Sequence, residues 1–459
     1  MNSEVLLHKY KDIYYSFPQP LKTFLGSLYG SIPLSVRFGR GFALHQKLLH
    51  AFEEGDEQYK LDFMYNKTLE TLLFAEKNIP YYKNLFQEHG VSSKSFKSLS
   101  DMKLFPTLSK LDIKNNLNNI YTEESEQAVA YYSGGSLSTP TKYFLPESSR
   151  AKEKAYNNFL FLKIGYNYRD RTLLLKGREV SNIEKKIFCE YEPVDNYMLL
   201  SNNYMNSSYF EKMYKAAKQF KPKFIFGYPS AILSFIKQSK LNGLEKITVQ
   251  GVILASETIY ADEIEIIKEY FGVSILTHYG HTERNTMAYR IDEENYKFMN
   301  SYGLTRIVEN EIVTTTFDNF VMPFINYQTN DHVSGLVKYY KDCDVAKKVQ
   351  NIDGRTRDFL VTKDERLVSI TTMCGGQHLP LEQMDAIQYI QEEKGKVTVL
   401  VQSNDLNENE VRQGMCKLIK EGVDFNVKMV DKIERSSRGK RVMCKQSLDI
   451  EEIRKNHVS

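Results

Sequence analysis

The chain has 459 residues, 42% of them hydrophobic and 26% charged, which suits a globular protein of two or more domains with ample core. Its 61 basic and 58 acidic residues leave a net charge of +3, which gives no reason to expect nucleic acid or an anionic membrane as the main partner. Five scattered cysteines (Cys189, Cys343, Cys374, Cys416, Cys444) show no CxxC spacing, arguing against a disulfide framework or a zinc site and fitting a reducing compartment.

Neither the segment from Met1 to Tyr15 nor any later run has the apolar length of a signal peptide or a membrane span, so a soluble, cytoplasmic protein is expected. Residues 1–75 read as largely helical. Tyr59, Phe63, Tyr65, Leu69, Leu72, Leu73 and Phe74 have the spacing of an amphipathic helix over 57–77. Ile79-Pro80 ends it, because proline breaks a helix and restricts the residue before it; Tyr81 and Tyr82 read as packing. Ser109 is an expected N-cap for the next helix.

A short apolar run, Ala128 to Tyr132, leads into Ser133-Gly134-Gly135-Ser136-Leu137-Ser138-Thr139-Pro140-Thr141, and Lys142 to Leu145 follows. This is the pattern of a loop between two strands. Glycine frees backbone N–H groups and the hydroxyls stand beside them, so such a loop can wrap phosphate oxygens. A plain polar turn has the same composition.

Helices and strands then alternate. Helix is expected over 148–163, 209–220, 231–240 and 261–270. Strand is expected over 171–176, 198–201, 223–226, 248–255 and 273–277. That alternation indicates βαβ units and a parallel sheet. Gly227-Tyr228, Ser256-Glu257 and Tyr279 to Glu283 each follow a predicted strand. In open α/β sheets, ligands bind in the crevice outside the carboxyl ends of the strands, so three polar clusters in one topological position point to one site.

Further on, 311–317 and 322–327 read as strands, with Asp331 closing the following turn. Residues 352–358 form a charged connector. The last hundred residues read as a small strand-rich domain with one helix over 408–421 and a clear strand over 395–401.

At Tyr279-Gly280-His281-Thr282-Glu283 the chain resembles the adenylate-forming (acyl-CoA synthetase) superfamily. Within it the likeness is to the phenylacetate–CoA ligase branch and its relatives from capsule and O-antigen gene clusters. The motifs run in the family's order from Ile79-Pro80-Tyr81-Tyr82 to Gly439-Lys440. The resemblance implies an α/β fold: a large N-terminal adenylation domain with mixed βαβ sheets (1–354), a hinge at 355–358, and a small α+β mobile domain (359–459). It also implies an ATP-dependent, AMP-forming carboxylate ligase that uses ATP and Mg2+ and passes the acyl group to CoA or another acceptor.

Carried over by position, Ser133, Gly134, Gly135, Ser136, Ser138 and Thr139 form the phosphate loop. Ser256 and Glu257 line the adenine, and Tyr279, followed by Gly280, stacks on it. Thr282 stands near the α-phosphate and Glu283 holds the metal. Asp331 takes the ribose hydroxyls with Arg355, and Lys440 serves the adenylation step. Tyr204, Gly227, Tyr228, His278 and His281 are the candidate acyl pocket.

Read without the family, several of these residues have ordinary explanations. Tyr279 could be core, Glu283 could pair with Arg284, and Asp331 could be a turn former. The histidines could be structural, and Lys440 sits in a basic run with Arg435, Arg438 and Arg441 that suits a solvated face. The chain also departs from the family. Leu137, Ser138 and Thr139 replace Thr, Gly and Lys, and Asn326 and Gln328 stand where two cations are usual. Beside thioester formation, two alternatives therefore stay open: amide formation on an amino sugar or amino acid in polysaccharide assembly, and a degenerate scaffold.

Overall fold

The computed structural model describes residues 14, 16–123, 127–133, 141–176, 180, 188–202, 205, 208–257, 259, 261–292, 294–354, 359–370, 373, 379, 383–384, 386–403, 405–419, 421–433, 444–450 and 452–453, with side chains left aside at Ser133, Ser230, Ala261, Asp262, Gly354 and Ser369. The chain begins helical, with α1 (Gln19–Gly30), α2 (Leu34–Arg37), α3 (Gly39–Glu54), α4 (Glu57–Asn78) and α5 (Pro80–Glu88). Asp56 caps α4 by accepting from the backbone N–H of Tyr59 at 2.8 Å. Pro80 ends α4 as expected, yet it also opens α5, because the first helical position needs no N–H partner. Tyr82 is buried; its hydroxyl donates to Pro323 O at 2.8 Å and accepts from Ile325 N at 3.2 Å. Two 3-10 turns (Ser93–Ser95, Leu99–Leu104) lead to α6 (Lys110–Asn115). Ser109 and Asp112 close a reciprocal capping box over its first turn.

Strands β1 (Ala128–Ser133) and β2 (Thr141–Pro146) pair antiparallel, with Ser133 opposite Thr141. The hydroxyl-rich segment therefore joins two strands, as the sequence implies. Its residues Gly134, Gly135, Ser136, Leu137, Ser138, Thr139 and Pro140 lie outside the described residues, as do Tyr204, Arg355 and Lys440.

Next come α7 (Ser149–Leu162), β3 (Thr172–Leu175), β4 (Cys189–Glu192), β5 (Tyr197–Leu200), α8 (Phe210–Phe220), β6 (Phe224–Gly227), α9 (Pro229–Leu241), β7 (Gly251–Ala255), α10 (Ala261–Phe271) and β8 (Ser274–Gly280). The strands β5, β3, β6, β7 and β8 lie side by side and parallel. Their side chains are buried in near-continuous runs, as in the all-buried pattern of β7, because helices cover such a sheet. Antiparallel strands β9 (Met287–Ile291), β10 (Tyr296–Phe298), β11 (Gly303–Val308), β12 (Glu311–Thr316), β13 (Tyr327–Tyr339) and β14 (Ala346–Gly354) extend it. The resulting twelve-stranded sheet has the order β11-β12-β13-β14-β10-β9-β8-β7-β6-β3-β5-β4. This is the mixed α/β fold the sequence implies.

Two expectations need correction. Residues 322–326 are not a strand, and Asp331 is not in a turn but inside β13. Pro323 has no donor for a ladder. The segment is satisfied by side chains instead: Asn319 Nδ2 donates to Met322 O at 2.7 Å, and Phe324 N donates to Thr316 Oγ1 at 2.9 Å. Asn326 is buried as well. Its Nδ2 donates to Met102 O and Phe105 O at 2.8 and 2.9 Å, and its Oδ1 accepts from Arg306 Nη1 at 3.1 Å. The Asn326 amide therefore fastens the core.

Irregularities at His332/Val333, Ser334/Val337 and Lys338/Tyr339 break the β13–β14 register. Such bulges bend a strand. Asp331 of β13 meets Tyr279 at the end of β8, although β14, β10 and β9 separate the two strands in the sheet.

The C-terminal part has a small pair, β15 (Phe359–Val361) with β16 (Leu367–Ser369), then β17 (Ala386–Glu393), β18 (Lys396–Gln402), α11 (Glu408–Leu418), β19 (Asp424–Met429) and β20 (Cys444–Gln446). The last four strands form a separate sheet, β19-β18-β17-β20. It has its own core, including Val399, Val401, Val411, Met415 and Phe425. Among the described residues, no helix is long and apolar enough to cross a membrane.

Candidate active site

A cavity of about 510 Å3 opens at the carboxyl ends of the parallel strands. Lys176 follows β3, Ser256 and Glu257 follow β7, and His278 to Glu283 finish and follow β8; all of them line it. So do Lys110 from α6 and Asp331 from β13. Of the expected site residues, the fold thus gathers Ser256, Glu257, His278, Tyr279, Gly280, His281, Thr282, Glu283 and Asp331 into one space. Ser256 adopts a left-handed φ of 72°, a conformation that non-glycine residues rarely hold outside special sites.

At one end stands a carboxylate held by two side chains. Tyr279 Oη donates to Asp331 Oδ2 at 2.9 Å, and His281 Nε2 meets the same oxygen at 2.9 Å. His281 Nδ1 lies 2.8 Å from Asn285 Oδ1, so the ring is fixed at both nitrogens. This His281 orients Asp331 from below. A role for His281 in contacting an acyl group is not what its hydrogen bonds display.

At another point of the wall lies Glu283, only 6% exposed. Its Oε1 accepts from Tyr327 Oη at 3.0 Å and faces Lys110 Nζ at 3.7 Å. The neighbouring Arg284 turns away: its Nη1 donates to Ser149 Oγ at 2.7 Å, and its guanidinium sits 5.1 Å over the Tyr131 ring. Glu283 is therefore no surface partner of Arg284. Tyr131 belongs to β1, and Tyr143 of β2 has its pKa raised, first by burial and next by the Glu283 carboxylate. The roots of the β1–β2 hairpin thus abut Thr282, Glu283 and Arg284.

Gly227 and Tyr228 are not among the described residues that line the cavity. A Cβ on Gly227 would stand 2.6 Å from Leu175 O and 2.7 Å from Leu175 Cβ, so this glycine permits close packing of β6 on β3. Tyr228 packs against the apolar core under that sheet.

Several lining residues carry no sequence signal. Lys110, at the first position of a helix, looks like any solvated lysine. Lys176 looks like a connector residue. Glu153 and Asn157 come from the face of α7 that meets the sheet. Only the fold brings them to the strand ends that the sequence had marked.

The residues present could hold a nucleoside triphosphate with magnesium: Asp331 offers a braced carboxylate, Glu283 a second one beside the hairpin, and Lys110 a positive charge. Among the described residues, no group of three or more His, Cys, Asp or Glu could hold a metal. Magnesium takes one or two protein carboxylates and fills its remaining positions from phosphates and water, and Glu283 could supply one.

No family model matches the chain. It is 20% identical to Protein CapK of Staphylococcus aureus over 446 residues, covering 94% of this chain and 97% of that protein. It is 21% identical to phenylacetate-coenzyme A ligase of Aromatoleum evansii over 327 residues, covering 64% of this chain and 70% of that one. The structure is similar to that of 2-hydroxyisobutyryl-CoA ligase in complex with 2-HIB-AMP and CoA in the thioesterification state. That match has a TM-score of 0.56 and 12% identity, and covers 88% of this chain and 93% of that one. These relatives uphold the resemblance to the phenylacetate–CoA ligase-like branch of the adenylate-forming superfamily, and the fold is that of an adenylate-forming ligase.

Proposed function

We propose that this chain is an ATP-dependent, AMP-forming ligase that activates a carboxylic acid as its acyl-adenylate and then passes the acyl group to CoA. One carboxylate oxygen of the acid attacks the α-phosphorus of ATP, the bond to the β-phosphate oxygen breaks, and pyrophosphate leaves. The transition state spreads negative charge over phosphate oxygens, so positioned charges and donors are what the site must provide.

Asp331, held by Tyr279 and His281, takes the ribose hydroxyls. Ser256, Glu257 and the Tyr279 ring frame the adenine, and Gly280 leaves room beside them. Thr282 donates to the α-phosphate. Glu283 holds magnesium, which neutralises phosphate charge when bound. Lys110, facing Glu283, adds cationic charge on the same wall. Ser133, Gly134, Gly135, Ser136, Ser138 and Thr139 wrap the outer phosphates. Arg355 supports the ribose end. Lys440 arrives with residues 359–459, which close over residues 1–354 by a hinge at 355–358. A lysine on a separate domain meets the phosphate only on closure, a recognised catalytic device.

The observation that carries this reading is the meeting of Asp331, Tyr279, Glu283 and Lys110 in one cavity at the ends of parallel strands. The test is pyrophosphate and AMP release from the full chain with ATP, magnesium and a panel of acids, with CoA present or absent. Acid-dependent release of both products, with acyl-CoA formed, is expected. ATP binding without turnover of any acid, or no ATP binding by calorimetry, would favour a scaffold; an amide product with amino sugars or amino acids and no acyl-CoA would reassign the acceptor.

A further inference from the structure

The cavity continues past the nucleotide residues toward β3, β5 and β6, where Phe161, Tyr197 and Phe226 supply apolar wall. Into this part projects Lys176, its Nζ 4.0 Å from the centroid of the Phe226 ring. Among the described residues it has no hydrogen bond and no ion pair. The carboxylate that it feels, Glu153, is committed elsewhere: Oε1 accepts from Asn157 Nδ2 at 3.2 Å, and Oε2 accepts from Tyr302 Oη. Lys176 is half-buried, and an ammonium withdrawn from water is costly without an acceptor.

Two more polar atoms near Lys176 are unspent. His278 Nε2 and Asn157 Oδ1 are buried and without a partner among the described residues. A Cβ at Gly280 would stand 3.3 Å from His278 Nε2. Burial pulls His278 down to about 4, with Glu153 opposing and Lys176 adding to the effect, so the ring is neutral at physiological pH. Burial likewise pulls Lys176 down to about 8, with Glu153 opposing, which leaves it mostly cationic at neutral pH. The unspent set is thus an ammonium and a neutral imidazole beside one amide oxygen, and the ammonium carries the charge. A group rich in acceptor oxygens, carrying negative charge, complements that set.

We propose that the acid activated by this chain is a dicarboxylic acid, whose second carboxylate seats against Lys176, beside His278. The proposal rests on the adenylation reading: one carboxylate reacts at the nucleotide end, and the other anchors the chain at the far wall. Phe161, Tyr197 and Phe226 enclose the apolar spacer between them. Lys176 is a specificity-determining residue that touches the substrate and takes no part in bond making.

The test uses the full chain and matched pairs: succinate with butyrate, glutarate with pentanoate, adipate with hexanoate, and 4-carboxyphenylacetate with phenylacetate. Acid-dependent pyrophosphate release is compared within each pair for the unaltered protein, Lys176→Met and Lys176→Arg. At least one diacid is expected to exceed its partner in kcat/KM by about tenfold or more, as a charge-assisted contact allows. Lys176→Met brings that ratio to about one, while Lys176→Arg keeps most of it. Calorimetric binding of the diacids reads the same preference without turnover, and melting curves confirm that both variants fold. Equal handling of mono- and diacids, a ratio indifferent to Lys176→Met, or no diacid binding at all overturns the proposal and leaves adenylation standing. Diacid binding that depends on Lys176, with no pyrophosphate release, supports the pocket and rejects the adenylation reading.

Discussion

Lys110 Nζ and Glu283 Oε1 face each other across 3.7 Å, and both side chains are almost wholly withdrawn from water. The pair is too long for a hydrogen bond. It is an electrostatic contact on the wall of a cavity, and Tyr327 supplies the direct hydrogen bond to the same oxygen.

Breaking that pair from one side leaves a buried charge uncompensated. Lys110→Met is therefore expected to destabilise the fold by about 3 kcal/mol, the lower end for buried pairs, and adding Glu283→Gln recovers part of the loss. Urea denaturation of the two single variants and the double variant measures the coupling. Additive losses would mean that the two residues do not interact.

Asp331 and its two supports separate binding from chemistry. Asp331→Asn removes the charge that Tyr279 and His281 align, and the KM for ATP is expected to rise about tenfold, the scale of a lost charged hydrogen bond, with a smaller change in kcat. His281→Ala moves KM in the same direction by less, because the carboxylate remains but is no longer oriented. Steady-state kinetics with ATP varied checks both. An effect confined to kcat would remove Asp331 from the nucleotide site.

Gly227 is a packing glycine. Gly227→Ala forces a methyl against Leu175 O, 2.6 Å away, and is expected to cost about 1–3 kcal/mol, as overpacking does. Melting temperature should fall while the ranking of acid substrates is preserved. A changed ranking without loss of stability would return Gly227 to the acyl pocket.

Acid stability follows from two histidines kept neutral. His278 is pulled down to about 4 by burial, and His45 is pulled down to about 4 by burial and by the Lys152 charge. Unfolding frees both to take up protons near the ordinary value of 6.5, so below that pH the unfolded state binds more protons than the folded one. Stability contributed by keeping them neutral is intact above about pH 6.5 and is lost progressively as pH falls toward 4. Urea midpoints between pH 7.5 and 4.5 should decline over that window, and less steeply in His45→Gln combined with His278→Gln. An unchanged slope in the double variant would assign the decline to carboxylates such as Asp318, whose pKa is held low by Lys152 and Lys67 against the opposing effect of burial.

Much of this site is legible as a pattern of strand ends. Ser256, Glu257 and Tyr279 to Glu283 are marked by where apolar runs stop, and the fold keeps them together. Asp331 escapes local reading because an asparagine-rich stretch looks like a turn, whereas bulges beyond it bend an actual strand. The 322–326 run looks like a strand because its apolar side chains are buried; side-chain acceptors from Thr316 and Asn319 replace the ladder. Lys110 and Lys176 carry no local signal, since a lysine at a helix start or after a strand is ordinarily solvated. Their meaning depends on partners far away in sequence.

The Asn326 amide joins the β13 approach to Met102 O, 224 positions earlier, and Leu108 exchanges backbone hydrogen bonds with Asn326 and Gln328 at 3.1 and 2.9 Å. Lys110 begins its helix two residues after that seam. During synthesis, then, the first hundred-odd residues must wait for β13 to emerge before the lysine that faces Glu283 has a fixed address. A fragment truncated upstream of Asn326 would leave that helix untethered, and nucleotide affinity should appear only in nascent chains long enough to include Asp331.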